Sequence, residues 1–258
     1  MKRLLIPLLI LLAAPIFARP LVIAHRASGG FGPENTIAGA KAAWKAGADI
    51  IEIDVRLTKD NKAVLLHNPN TIDYTGIDLN VADATFARLR AMDFGTDFDP
   101  KYKGARIPTL QEMLMTVPKG RYVFFDTKVF GEKVAEIIAA NIKATRTEDR
   151  CLVQINDLDT LRAFHKLMPN VKLVGDVDRY GTVENSVELD KEFHYEYVNF
   201  HALYSPDRVE LVKKMVAAGM KPLGWSIDSV VWARIFADAG MKAFMTNRAE
   251  VMLRAFDK

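Results

Sequence analysis

The sequence predicts an α/β protein, a (β/α)8 TIM barrel carrying a β-hairpin between its second and third strand segments. Three observations lead there. From residue 21 onward, apolar β-rich runs alternate with amphipathic helical stretches, the mark of a parallel sheet with crossover helices. Seven or more such units in about 240 residues suit a closed barrel better than an open sheet. Finally, two of the strand runs lie too close together for a parallel crossover, which needs roughly a dozen residues.

The strand runs are 21–26, 49–57, 63–67, 121–127, 151–155, 171–177, 197–201, 222–227 and 242–246. After the first of them, Pro33-Glu34-Asn35-Thr36 supplies a helix cap, Ile37, Ala40 and Trp44 recur on one face, and Gly47 stops the helix. Thr109 and Glu112 have capping-box spacing and open another helix. Helical patterns at 132–146, 157–167, 206–218 and 229–239 follow strands in turn. Runs 49–57 and 63–67 are separated by little more than Lys59-Asp60-Asn61-Lys62 and form an antiparallel hairpin. With Asp60-Asn61 as a two-residue turn, Asp54 faces His67 and Glu52 shares that face. The Asp-rich stretches 69–83 and 93–107 are expected to fold over one end of the barrel.

A chain of 258 residues, 50% apolar and 26% charged, buries a large core as one domain. Residues 1–18 read differently: Lys2 and Arg3, an apolar run from Leu4 to Phe17, then Ala18. That is the pattern of a signal peptide, too short to span a bilayer, so 19–258 is the expected mature barrel, without a membrane anchor. Losing Lys2 and Arg3 lowers the formal charge from +3 to +1 (3 − 2), which gives no basic excess for nucleic acid. Cys151 is the single cysteine and makes no internal disulfide, so an exported chain of this kind points to a bacterial periplasm or secretion.

Chemistry concentrates in a few places. In "DIIEIDV", Glu52 and Asp54 point one way while Ile51, Ile53 and Val55 take the other face. Two carboxylates side by side call for a neutralising hard cation, Mg²⁺ or Ca²⁺. His25 ends the first strand, and barrel sites form at the carboxyl ends of strands. With His67, Arg26 and Lys128, the group suits phosphate-ester chemistry: cations stabilise developing charge, one imidazole accepts a proton and the other delivers one. The expected partner is a small phosphodiester.

In order and spacing, "HRASGGFGPENT", "EIDV", "LTKDNKAVLLHN", "IPTLQEML", "FFDTK", "WSID" and "MTNR" resemble the glycerophosphodiester phosphodiesterase family. The resemblance implies a metal-dependent barrel that hydrolyses glycerophosphodiesters to glycerol 3-phosphate and an alcohol. It implies His25 and His67 as the acid–base pair, and Glu52, Asp54 and Asp126 as metal ligands. Arg26 and Lys128 would hold phosphate, and Trp225 would line the glycerol pocket. Phe31, Phe200 and Tyr204 are candidate headgroup contacts, and His165 is expected on an outer helix surface. Three positions depart from the family pattern: Ala27 stands for glycine, Asn68 for aspartate and Asp126 for glutamate. Alternative readings are a phospholipase D-like barrel for larger phospholipids and a catalytically silent relative that binds a phosphorylated ligand.

Overall fold

Alternation along the strands decides which side chains share the barrel interior. The computed structural model describes residues 19–256; the stretch read as a signal peptide lies outside the described residues. Nine strands form: β1 (Leu21–Ala24), β2 (Ile50–Leu57), β3 (Ala63–Leu65), β4 (Tyr122–Thr127), β5 (Cys151–Ile155), β6 (Lys172–Asp176), β7 (Tyr197–His201), β8 (Pro222–Trp225) and β9 (Ala243–Thr246). Eight of them pair in parallel in the order β1-β9-β8-β7-β6-β5-β4-β2, and a β1–β2 pairing closes the ring. The ninth, β3, runs antiparallel on β2, as the short connection requires.

Ile23, Ile50, Phe124, Leu152, Val174, Leu223, Ala243 and Met245 fill the amino-terminal half of the barrel. Their odd-parity neighbours, among them Ile51, Ile53, Phe125 and Val153, pack outward against the helices. Each such apolar side chain contributes about 1.5–3 kcal/mol on burial. Thr36 caps helix Ile37–Ala46 by accepting from the Gly39 amide, and Thr109 with Glu112 completes a capping box on Leu110–Leu114. Helices Glu132–Thr145, Leu158–Leu167, Pro206–Ala217 and Val230–Asp238 lie where the periodicity puts them. Helices Val183–Phe193 and Ala249–Phe256 complete the outer ring. Among the described residues no helix is long and apolar enough to cross a membrane.

The hairpin register differs from the expected one. Val55 pairs with Leu65 and Leu57 with Ala63, so partners sum to 120 and Asp54 lies opposite Leu66, whose amide donates to the Asp54 carbonyl at 3.0 Å. The reason is the turn: Thr58 N–H donates to the Lys62 carbonyl at 3.0 Å around a three-residue loop, with Asn61 at φ 57°. Asp60 locks that loop by accepting from the Thr58 hydroxyl at 2.7 Å and the Phe86 amide at 2.8 Å. His67 therefore lies beyond the strand end, where the Arg56 guanidinium pins its carbonyl at 2.6 Å. The 69–107 stretch folds over the carboxyl end of the barrel around Val64, Leu66, Val81, Leu89, Phe94 and Ile107.

Because Asn61 holds a left-handed conformation, Asn61→Val should lower unfolding stability by about 1–2 kcal/mol. Asn61→Gly should leave it nearly unchanged, both read by denaturant unfolding.

Candidate active site

The same parity that packs the lower barrel gathers polar groups at its upper mouth. Ile50 is followed on the inward face by Glu52 and Asp54, Phe124 by Asp126, Leu152 by Gln154, Val174 by Asp176, and Leu223 by Trp225. Asp54 is the register partner of Asp126, and Asp126 of Gln154, so the carboxylates sit side by side across strands. All of the inward groups except Asp54 line a cavity of about 350 Å³ together with His25, Arg26, His67, Lys128, Asn156, Arg179 and Asn199.

Each residue of Pro33-Glu34-Asn35-Thr36 has a separate task. Glu34 holds the Arg26 guanidinium, with oxygens at 2.9 and 3.2 Å from the same nitrogen. Asn35 clamps Asp54, donating to its carboxylate at 2.7 Å and accepting from its amide at 3.1 Å. Thr36 caps the helix and donates to the Pro33 carbonyl at 2.7 Å. Before this motif the chain turns sharply, with Arg26 at φ 50° and Ala27 at φ 63°. A left-handed backbone favours glycine, which accounts for the glycine that the family resemblance leads one to expect at position 27. The turn aims the Arg26 amide at Glu52 Oε2, 2.6 Å away.

Glu52 and Asp54 are each 1% exposed, and Glu52, Asp54 and Asp126 offer oxygens that all lie within 4.8 Å of one another. Two carboxylates at that separation repel by at least about 3 kcal/mol at an effective dielectric near 20. Burial, then Asp54, then Asp126 push the Glu52 carboxyl well above the usual carboxylate range. Lys128 is the one ammonium inserted, 3.1 Å from Asp54 Oδ1 and 2.6 Å from Asp126 Oδ2. Burial alone would lower its pKa, but Asp126 and Asp54 outweigh burial and hold it raised. Asp54 Oδ1 is buried and accepts no hydrogen bond. Three oxygen donors, with a single ammonium to answer three carboxylates, fit a hard divalent cation held by Glu52, Asp54 and Asp126.

Both histidines are oriented by the same device. His25 Nδ1 lies 2.7 Å from Asn247 Oδ1, and the Asn247 amide nitrogen donates to Asp228 at 2.9 Å. His67 Nδ1 lies 2.8 Å from Asn68 Oδ1, and the Asn68 amide nitrogen donates to Asp73 at 2.6 Å. A carboxylate only accepts, so it fixes which end of each asparagine faces the ring, and each Oδ1 then accepts a hydrogen bond from Nδ1–H. Nε2 of each neutral ring keeps its lone pair. For His25 that nitrogen lies 3.9 Å from Glu52 Oε2. Burial lowers the His25 pKa, with Asn247 and Asp54 opposing in part. Asn68 thus replaces the expected aspartate by passing orientation on from Asp73.

Trp225 lines the cavity and stacks on His201, ring centroids 4.7 Å apart. Phe200 does not reach the site: it is fully buried among the outer core and packs on Phe236, because Asn199 and His201 take the inward parity. Phe31 packs partly buried against that outer core, and Tyr204 stacks on Trp232. His165 sits edge-on to Phe193, half-buried on its helix. The sequence reading gave no role to Asp176 and Asn199, to Asp73, or to Asp228 and Asn247 within "WSID" and "MTNR". Inward parity marks the first two; the others connect only through tertiary contacts.

Fold and mouth together define a (β/α)8 barrel with a carboxylate cluster and two oriented imidazoles, the equipment for phosphate-ester chemistry. The chain belongs to the glycerophosphoryl diester phosphodiesterase family, which matches it over residues 25–251. It is 31% identical over 244 residues to a glycerophosphodiester phosphodiesterase of Caldanaerobacter subterraneus subsp. tengcongensis, across 93% of this chain and 99% of that relative. A Bacillus subtilis glycerophosphodiester phosphodiesterase is 30% identical over 173 residues, 60% of this chain and 59% of that one. Among solved structures, an Oleispira antarctica phosphodiesterase in complex with the product sn-glycerol-3-phosphate shares the fold with a TM-score of 0.82 at 23% identity, covering 93% of this chain and 98% of that one.

If Asp73 orients Asn68, then ¹⁵N NMR of the neutral imidazoles should show His25 and His67 as single Nδ1–H tautomers. Asp73→Ala should leave His25 unchanged and let His67 sample both forms; an unchanged His67 signal would refute the relay.

Proposed function

We propose that the protein is a divalent-metal-dependent hydrolase that cleaves glycerophosphodiesters to glycerol 3-phosphate and an alcohol, with His25 and His67 as its acid–base pair. The observation that carries this reading is the convergence of Glu52, Asp54 and Asp126 within 4.8 Å in a cavity also lined by His25 and His67. Membership of the family and the 31% identical relative over almost its whole length support it.

A Mg²⁺ or Ca²⁺ ion on those three carboxylates would polarise the phosphoryl oxygens of the substrate. Arg26 and Lys128 border the same space and balance the remaining negative charge of the diester. One imidazole takes a proton from the attacking water through its free Nε2 as the new P–O bond forms. The other, protonated, gives a proton to the departing ester oxygen as the old P–O bond breaks. Asn247 and Asn68 keep both rings turned so that Nε2, and not Nδ1, does this. Trp225 and the neutral amides of Gln154, Asn156 and Asn199 suit a glycerol moiety, an apolar wall facing hydroxyl partners. The export signal read in residues 1–18 supports a bacterial periplasmic or secreted setting for this reaction.

The test is release of glycerol 3-phosphate from glycerophosphocholine by the purified protein, with Mg²⁺ or Ca²⁺ and with chelator, and with lysophosphatidylcholine as the larger alternative. Turnover of the first substrate that chelator abolishes supports the reading, whereas binding without product, or chelator-resistant turnover, contradicts it. His25→Ala and His67→Ala should each lower kcat by about 10²–10⁴ with little change in thermal stability. Asn68→Asp should also lower kcat, because it sets two carboxylates against each other. Asn68→Asp combined with Asp73→Asn should recover much of the loss by reversing the donor and acceptor of that bond.

A further inference from the structure

The reading as a glycerophosphodiesterase leaves open which alcohol is released, and a second cavity bears on it. A phosphodiester has two organic arms. Two cavities meet at His25 and Arg26: the barrel mouth of about 350 Å³ and a neighbour of about 370 Å³ under the 69–107 stretch. Their walls differ. The mouth sets Lys128 and Arg179 among its carboxylates, beside three amides and the Trp225 indole, whereas the neighbour is lined by Tyr74, Phe94 and Phe98 together with Glu34, Asp73 and Asp97.

Arg26 is the one lysine or arginine on that wall, and Glu34 engages it at 2.9 Å. Asp73 and Asp97 therefore leave an excess charge of −2 facing three aromatic rings. Phe98 is 48% exposed, its ring packed edge-on against Tyr102 at 5.7 Å. The loop presenting it is preorganised, since the Asp93 carboxylate accepts from the amides of Gly95, Thr96 and Gly104 at 2.8, 3.0 and 2.7 Å. A neutral polyol leaves the excess negative charge unanswered, and an acidic group is repelled by the carboxylates. An ammonium satisfies both, over a ring face and beside a carboxylate.

We propose that this second cavity holds the alcohol arm of the substrate and selects a cationic amino alcohol, with an ammonium or quaternary ammonium group beside Asp97 and Phe98. The inference rests on the phosphodiesterase reading, and the experiment separates the two. The full protein with Mg²⁺ is assayed for kcat/KM on glycerophosphocholine, glycerophosphoethanolamine and glycerophosphoglycerol. The two esters with a cationic alcohol arm should exceed the one with a neutral arm by about tenfold or more. Phe98→Ala and Asp97→Asn should each cost about tenfold on glycerophosphocholine, chiefly in KM, and leave glycerophosphoglycerol unchanged. Equal use of all three esters, or an equal loss on all three in the variants, would overturn the selection. Failure of the parent reading has a different signature, no glycerol 3-phosphate from any ester. In that event, protection of the protein from thermal unfolding by glycerophosphocholine, lost in Phe98→Ala, decides the ligand of the cavity, and the absence of such protection overturns the proposal.

Discussion

Mutual repulsion among Glu52, Asp54 and Asp126 is the constraint around which the rest of the mouth is arranged. Three carboxylates with oxygens within 4.8 Å, two of them 1% exposed, oppose folding unless cations answer them. The chain answers in part. Lys128 bridges Asp54 and Asp126, Asn35 clamps Asp54, and the Arg26 amide meets Glu52. What these contacts leave over, a raised Glu52 and three carboxylates answered by a single ammonium, is the shape of a divalent-cation site.

The barrel makes this arrangement affordable. Its lower half is filled with apolar side chains, and the outer layer seats the helices, so stability is settled away from the mouth. On β2 and β4 to β7, polar groups then occupy only the last inward position or two. The two imidazoles arrive from different places, one after β1 and one after β3, yet both are turned by an asparagine that an aspartate holds. An asparagine lacks charge but transmits direction, since its two ends cannot exchange roles while a carboxylate occupies one of them. Asn68 therefore departs from the family pattern without losing the orientation that pattern provides.

Much of the fold was legible because burial imposes its period on the strands: all nine runs appear, the hairpin included, with ends shifted by a few residues. The hairpin register was not legible, because loop length depends on whether Asn61 adopts a left-handed backbone, and Asp60-Asn61 is compatible with either turn. In the site, Glu52, Asp54 and Asp126 could be seen as interruptions of apolar runs. The same alternation exposes Asn199 as inward and Phe200 as outward, a distinction that residue type alone obscured. Asp228 and Asn247 stand in "WSID" and "MTNR", but their role was not legible, because their tie to His25 spans most of the chain and leaves no local spacing.

The central claim is that the three carboxylates hold one divalent ion, and metal titration of the chelator-stripped protein tests it most directly. Calorimetry with Mg²⁺ and with Ca²⁺ should give one ion per chain. At about a hundredfold excess over Kd the ion should raise Tm by roughly 5–10 °C, and Glu52→Gln should lose most of both effects. No saturable binding, or equal binding and equal Tm in the Glu52→Gln variant, would contradict the account.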